Sequence, residues 1–129
     1  MARILVIDDD AAVRSVVTVL LSKKGHRVET ASNGRHGLKA LSDGEFDLLI
    51  VDIFMPEMDG LETIRLLRAQ RSDLPVIVIS GSDVATPDFL SMATKLGAVK
   101  SVRKPFRSSQ LAEVVDQCLA SAGKSDKST

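Results

Sequence analysis

The sequence contains no tryptophan and no tyrosine, and phenylalanine supplies only four aromatic side chains among 129 residues. It has one cysteine, Cys118, which excludes an internal disulfide and is typical of proteins of the reducing cytoplasm. It has no excess of either charge, since 17 basic residues balance 17 acidic ones. A chain without net positive charge is not attracted electrostatically to nucleic acids or to anionic membranes. We therefore expect a cytoplasmic protein that binds neither directly.

Long hydrophobic runs are absent as well. No apolar stretch approaches the roughly 18 residues of a membrane span, and the run at residues 4–7 is too short for a signal peptide. The length and a hydrophobic content of 44% fit one folded domain that buries its own core. We predict that this domain covers residues 1–121 and that residues 122–129 form a flexible polar tail.

Five segments have the composition of β-strands. Three are short and continuously apolar, at residues 4–7, 48–51 and 76–79, which is typical of strands buried on both faces of a parallel sheet, and a fourth, weaker apolar segment lies at 99–102. The fifth segment, residues 27–31, alternates between polar and apolar and indicates a strand nearer an edge. Helical patterns separate these segments, so their order predicts an α/β fold with helices on both faces of the sheet.

The predicted helices have recognisable ends. The first begins after the N-cap residue Asp10 and ends at Gly25, the second covers Gly34 to Leu41, and the third begins at Asp59. The fourth runs from Thr86 to Gly97, with a proline at its first helical position. The last helix has its apolar stripe at residues 111–119, which places Cys118 in the core.

Polar side chains follow the predicted strands at their carboxyl ends. Residues Asp8-Asp9-Asp10 follow the first strand, Asp52 ends the third, Ser80-Gly81 end the fourth and Lys104 follows the fifth. In open α/β sheets the ligand binds at this edge. Clustered carboxylates repel one another, and a bound divalent cation relieves that repulsion. We therefore expect these side chains to form one acidic site.

The donor types narrow the chemistry of this site. Oxygen ligands without histidine or cysteine favour Mg²⁺ or Mn²⁺ over Zn²⁺. A hydroxyl and a lysine ammonium beside the cation suit the remaining oxygens of a phosphoryl group. The residues alone thus predict a Mg²⁺-dependent site for a phosphate or phosphoryl group. A plainer alternative is that Asp8 to Asp10 only cap the first helix and Asp52 only ends a strand.

Four motifs carry a resemblance to one protein family: ILVIDDD at 4–10, LLIVDIFMPEMDGLE at 48–62, PVIVISG at 75–81 and KPF at 104–106. Together they resemble the receiver domain of two-component response regulators, especially the stand-alone chemotaxis-type regulator, over roughly residues 3–119. The resemblance implies a flavodoxin-like (βα)5 three-layer sandwich, whose parallel five-stranded sheet has the order 2-1-3-4-5.

The resemblance also implies which residues hold the metal and the phosphoryl group. Asp52 takes the place of the phosphoacceptor, which receives its phosphoryl group from a sensor histidine kinase or a histidine phosphotransfer protein. Asp9 matches the direct metal ligand and Asp8 the ligand that acts mainly through water. Asp52 and the backbone carbonyl of Phe54 complete the set for Mg²⁺, which Mn²⁺ can replace.

Three further positions match the family's switch. Lys104 falls where an ammonium pairs with a phosphoryl oxygen. Ser80 matches the switch hydroxyl, which hydrogen-bonds the phosphoryl group with help from the backbone N–H of Gly81. The family has a cis peptide bond before the proline that follows the lysine, here Pro105.

The fifth strand departs from the family pattern. Ser101 stands where the family often has a tyrosine or phenylalanine that turns inward when the switch hydroxyl moves. Serine cannot fill that cavity, so we expect a modified switch. Arg103 replaces an aliphatic residue and makes this region basic together with Lys95, Lys100, Lys104 and Arg107. The basic region is either a docking surface for an acidic partner or a solvated face.

The sequence therefore predicts a phosphorylation-driven signalling switch rather than an enzyme in the ordinary sense. The switch would signal to a protein partner through the face formed by the fourth helix, the fifth strand and the fifth helix, or pass the phosphoryl group along a relay. We expect a monomer or a phosphorylation-dependent dimer.

Three alternatives stay open. One is a receiver module cut from a larger response regulator or hybrid kinase. Another is a small Mg²⁺-dependent phosphohydrolase with Asp52 as nucleophile, which would need a general acid two residues later, where Phe54 stands. The third is a flavin-binding electron carrier of similar topology, whose phosphate-holding loop would fall on Asp8 to Asp10, where three carboxylates repel phosphate.

Overall fold

The computed structural model describes residues 2–52, 60–70, 73–81, 91, 95 and 100–128. Its strands are β1 (Arg3–Ile7), β2 (Arg27–Ala31), β3 (Leu48–Asp52), β4 (Val76–Ser80) and β5 (Lys100–Arg103). Its helices are α1 (Ala11–Lys23), α2 (Gly34–Asp43), α3 (Gly60–Gln70) and a C-terminal helix (Ser108–Ser128).

The strands form one parallel sheet in the order β2-β1-β3-β4-β5, which confirms the predicted fold. The register aligns the carboxyl ends of the strands. Ile7 of β1 lies opposite Ala31 and Val51, and Ser80 of β4 lies opposite Arg103. Residues that follow these strands therefore meet at one edge of the sheet.

The sheet is covered on both faces, which explains its continuous apolar runs. On one face, Leu5, Ile7 and Val51 pack in a buried cluster with residues of α2 and α3, including Leu41 and Ile64. On the other face lies a second buried cluster, whose members come from alternate strand positions, from α1 and from the C-terminal helix: Ile4, Val6, Ile50, Ile79, Val17, Leu21, Leu111, Val115 and Cys118. The core position predicted for Cys118 is thereby confirmed.

Side-chain caps begin the first two helices. The Asp10 carboxylate accepts a hydrogen bond from the backbone N–H of Ala12 at 2.8 Å, as predicted for the N-cap of α1. Asn33 caps α2 in the same way by accepting from His36 N–H at 2.8 Å. Gly25 follows α1 with a φ of 89°, in the left-handed region that glycine adopts without strain.

Two predicted helix starts fall outside the described residues, namely Asp59 for the third helix and Thr86 for the fourth. Ser91 and Lys95 are helical, in agreement with the fourth predicted helix. The C-terminal helix continues to Ser128, where the sequence predicted a polar tail from residue 122. No proline lies in that segment, so the helical hydrogen-bond pattern has no obligatory stop there. The domain boundary at residue 121 stays a prediction.

No helix in the described ranges has the length and apolarity that a membrane crossing requires.

Candidate functional site

The polar residues of the site are placed by the ends of four strands. Asp8 follows β1, and its backbone N–H donates to the carbonyl of Ala31 in β2 at 3.1 Å. Asp52 is the last residue of β3 and Ser80 the last of β4. Lys104 follows β5, and its backbone N–H donates to the carbonyl of Ser80 at 2.7 Å. These backbone bonds fix the side chains at the edge of the sheet.

Three carboxylates converge there. Ligand oxygens of Asp8, Asp9 and Asp52 all lie within 4.8 Å of one another. Asp8 is completely buried and Asp52 is 4% exposed, whereas Asp9 is exposed to solvent. Carboxylates this close repel one another, and burial strengthens the repulsion. The cluster therefore needs a positive charge.

Lys104 supplies one such charge. Its Nζ lies 3.1 Å from Asp8 Oδ2 and 3.1 Å from Asp52 Oδ2, and it donates a hydrogen bond to Asp52. Burial lowers the pKa of Lys104, but the hydrogen bond and charge of Asp52, together with Asp8, outweigh burial and raise that pKa above its ordinary value. The ammonium is thus fixed in its charged form between two buried carboxylates.

The two carboxylate oxygens of Asp8 have different partners. Its Oδ1 accepts from the backbone N–H of Asp10 at 2.9 Å. Its Oδ2 is buried and near Lys104 Nζ, yet it accepts no hydrogen bond from any described residue. Burial, followed by the charge of Asp52, raises the pKa of Asp8 to about 6, against the opposing effects of the Asp10 N–H and Lys104. A buried carboxylate oxygen without a hydrogen bond is a suitable ligand for a cation.

The donor set of Asp8, Asp9 and Asp52 fits a hard divalent cation. All three side chains offer oxygen, and Mg²⁺ binds one or two carboxylates and completes its shell with water and phosphate oxygens. The predicted backbone ligand from Phe54 lies outside the described residues.

The remaining predicted residues differ in their burial and in their place relative to this cluster. Ser80 is 1% exposed and ends β4. In the sheet register Asp52 pairs with Ile79, so Ser80 comes one residue after the partner of Asp52. Gly81 follows Ser80 and is half-buried. Ser101 is exposed on β5 opposite Val78, so the structure does not bring it into the acidic cluster. The peptide bond between Lys104 and Pro105 is cis, as expected.

Sequence reasoning missed Arg14. Its Nη1 donates to the backbone carbonyl of Asp8 at 2.6 Å, and its side chain is half-buried. A signal existed in the sequence, because a cation near the start of a helix opposes the helix dipole and implies a compensating partner.

Comparisons with known proteins agree with this architecture. The sequence matches the family described as response regulator receiver domain over residues 4–116. It is 38% identical over 120 residues to the DNA-binding transcriptional regulator NtrC of Azospirillum brasilense and 38% identical over 109 residues to the response regulator MprA of Mycolicibacterium vanbaalenii. These alignments cover 93% and 84% of this chain.

A solved structure gives the same result. The chemotaxis protein CheY4 of Vibrio cholerae superposes with a TM-score of 0.87 at 30% identity, covering 92% of this chain and 99% of that one. By contrast, the chain spans 24% of the length of NtrC and 46% of the length of MprA.

Receiver domains are signalling switches of two-component systems that histidine kinases phosphorylate, and they generally bind Mg²⁺ at an acidic pocket. The match over most of the sequence, the sheet order and the acidic cluster lead to one assignment: the chain belongs to the response regulator receiver domain family.

Proposed function

We propose that the chain is a phosphorylation-dependent switch in which Asp52 accepts the phosphoryl group of a histidine kinase or histidine phosphotransfer protein. One observation carries the proposal: Asp52 is 4% exposed, lies 3.1 Å from Lys104 Nζ and shares the acidic cluster with Asp8 and Asp9. Burying so many charges costs stability, and two apolar residues of similar size would cost less. The arrangement is therefore explained by chemistry rather than by stability.

The proposed reaction is a transfer between two nucleophiles. A carboxylate oxygen of Asp52 attacks the phosphorus of the partner's phosphohistidine, and a new O–P bond forms while the N–P bond breaks. The electron pair of that bond returns to the imidazole nitrogen. Lys104 offers its positive charge to the phosphoryl oxygens. The protein therefore contributes mainly by positioning the phosphoryl group and by neutralising its negative charge. The product is an aspartyl phosphate.

Mg²⁺ would be held by Asp8, Asp9 and Asp52, with the backbone carbonyl of Phe54 as a further proposed ligand. When bound, it neutralises charge on the phosphoryl oxygens and orients them. In its absence, Lys104 compensates the carboxylates, and a proton on Asp8 joins it only at pH values below about 6. The Mg²⁺ site and the phosphorylation site are thus the same site.

The switch itself is proposed to depend on Ser80 and Gly81. Phosphorylation replaces the single negative charge of the Asp52 carboxylate with a phosphoryl group that carries about −2, at the end of β3 and beside the strand that Ser80 ends. The Ser80 hydroxyl and the Gly81 N–H would donate to the phosphoryl oxygens and draw the end of β4 toward them. Ser101 has no aromatic ring that could move with the end of β4. Other groups would therefore transmit the phosphorylation state to the protein surface.

The proposed output surface includes β5. Lys100, Ser101 and Arg103 are exposed on this edge strand, and Arg107 is exposed just beyond it. Exposed positive charge on the strand that ends the described sheet suits an acidic protein partner, which would meet the chain as a monomer or a phosphorylation-dependent dimer. The surface belongs to the face predicted from the sequence, whose fourth helix lies mostly outside the described residues.

We propose further that the protein acts as a single-domain regulator. The similarity to CheY4, of which the chain covers 99%, supports this proposal. The relatives NtrC and MprA, of which it spans 24% and 46%, support the alternative of a receiver module in a larger regulator. NtrC is named as DNA-binding, so the absence of nucleic-acid contact stays a prediction. An immunoblot of the source cells separates the proposals by a band at 13.9 kDa or at a larger mass.

Phosphorylation of the purified protein tests the main proposal. Incubation with acetyl phosphate and MgCl₂ should add one phosphoryl group by intact mass spectrometry, and Asp52→Asn should add none. Asp43→Asn is the matched control, because Asp43 is exposed at the end of α2, away from the cluster. Equal labelling of Asp52→Asn, or full labelling in EDTA, would contradict the proposal.

A further inference from the structure

Arg14 bonds to both sides of the loop that carries Asp9. Its Nη1 donates to the carbonyl of Asp8 at 2.6 Å, and its backbone N–H donates to the carbonyl of Asp10 at 3.1 Å. The second bond is the first hydrogen bond of α1, so the loop is connected to the helix at both of its ends. Arg14 thereby binds the backbone carbonyls on both sides of Asp9, one through its side chain and the other through its backbone N–H.

The carboxylate of Asp9 is not held by hydrogen bonds of this kind among the described residues. Its side chain is exposed, and within the described ranges no hydrogen bond or ion pair holds its carboxylate. The position of that carboxylate is therefore set by the backbone on either side of it. The carbonyl that Arg14 holds is the one directly before Asp9. The Arg14 bond is therefore one of two side-chain restraints next to this ligand, the other being the hydrogen bond from the Asp10 N–H to the Asp8 carboxylate.

The position of the Arg14 charge is electrostatically unfavourable. Arg14 is the fourth residue of α1, close to the helix end at which the helix dipole disfavours a cation. It is also close to a cluster proposed to bind a divalent cation, which its charge repels. A residue that only balanced charge would lie nearer the carboxylates, as Lys104 does at 3.1 Å. Arg14 instead uses its guanidinium on a backbone carbonyl.

We propose that Arg14 is a positioning residue that holds the loop of Asp8 and Asp9 in the geometry that Mg²⁺ binding requires, an inference that rests on the proposed metal site. Charge and positioning predict opposite results when Arg14 is replaced. Loss of a nearby positive charge should strengthen Mg²⁺ binding. Loss of a group that orients a ligand should weaken it, commonly by tenfold or more.

Titration calorimetry with MgCl₂ alone distinguishes these results. Arg14→Met keeps the apolar stem and removes charge and donors, and we expect its Kd to rise about tenfold. Arg14→Lys keeps the charge and one donor group, and should recover most of the affinity. Arg35→Gln removes an exposed charge from the first turn of α2, at the same edge of the sheet, and should bind Mg²⁺ as tightly as the native protein or more tightly.

Circular dichroism in EDTA establishes that each variant is folded before titration, and Arg14→Gln replaces Arg14→Met if that variant does not fold. Binding by Arg14→Met that equals or exceeds the native affinity would overturn the positioning role while leaving the metal site intact. A native protein that does not bind Mg²⁺ would overturn the metal site and this inference with it. A Kd that rises equally in Arg14→Lys and Arg14→Met would also count against the carbonyl bond.

Discussion

Asp8 shows, at the scale of a single residue, how stability and binding conflict in this molecule. It is completely buried, and burial together with the charge of Asp52 raises its pKa to about 6 in the metal-free protein. The N–H of Asp10 and the ammonium of Lys104 compensate only part of that cost. The folded protein therefore holds a proton on Asp8 at mildly acidic pH, and must release it to bind a cation.

This conflict predicts a specific pH dependence of stability. The folded pKa of Asp8, about 6, lies above the ordinary value of 3.8, so the folded state binds more protons between these values than the unfolded state does. The stability contributed by protonated Asp8 is complete below pH 3.8 and is lost as the pH rises through about 6. Urea denaturation in EDTA at a series of pH values measures this change.

Asp8→Asn is the reference for that experiment, because it keeps the shape of the side chain and does not titrate. The free energy of unfolding of Asp8→Asn minus that of the native protein should grow from pH 4 to about pH 6 and then level off. A difference that stays constant over this range would show that burial does not shift the pKa of Asp8. Titrating groups distant from Asp8 cancel in the comparison.

The acidic residues could be predicted from the sequence. For Arg14 the sequence signals only that a cation near the start of a helix needs a partner, and does not identify that partner. Asp8, Asp9, Asp52 and Lys104 follow strands, and the common direction of parallel strands is enough to bring them together. The bond of Arg14 to the Asp8 carbonyl depends on the path of one loop and one side chain, and neither has a periodic signal in the sequence. Roles at the site, as distinct from positions, came from the family resemblance.

At the scale of elements, the close approach of α2 to β1 depends on a glycine. Gly37 is buried in α2, and a Cβ built there would overlap Ile7 Cδ1 and lie 2.7 Å from Ile7 Cγ1. Ile7 is itself completely buried and belongs to the core cluster under α2 and α3. The absence of a side chain at residue 37 lets the helix pack against the end of the strand that positions Asp8.

We therefore expect Gly37→Ala to destabilise the fold although alanine is the better helix former. The built Cβ overlaps two atoms of Ile7, so the cost should lie in the upper part of the usual range, at about 2–3 kcal/mol. This cost exceeds the helix propensity gain of about 1 kcal/mol. Urea denaturation measures the net change. Ile7→Val removes the overlapping Cδ1, so Gly37→Ala should cost less in that background than in the native protein. Stabilisation by Gly37→Ala in the native background would contradict this account of the packing.

The elements differ in how well the sequence predicts them. β3 and β4 are buried at every residue, so their continuous apolar runs were unmistakable. β5 is exposed at three of its four residues and extends to Arg103, one residue beyond the predicted end, whereas the predicted first residue, Val99, lies outside the described residues. The C-terminal helix continues to Ser128 because backbone hydrogen bonding can continue without an apolar stripe, whereas the sequence prediction relied on that stripe.

At the scale of the whole molecule, the sheet order brings residues from distant parts of the chain to one site. β1 lies between β2 and β3, and β3 pairs with β4, so Asp8, Asp52 and Ser80 end neighbouring strands. Lys104 reaches the cluster from beyond β5, 52 residues after Asp52. Periodicity predicted strands and helices, but the order of the strands was supplied by the resemblance, because pairing depends on long-range contacts that a local pattern does not encode.

The central claim is that Asp52 carries the phosphoryl group in a metal-dependent reaction. The most direct measurement is to treat the protein with acetyl phosphate and MgCl₂, reduce the acyl phosphate with borohydride, and locate the resulting homoserine by tandem mass spectrometry. We predict homoserine at residue 52 alone, and its loss when EDTA replaces MgCl₂. Homoserine at another aspartate, or at residue 52 regardless of the metal, would contradict the account.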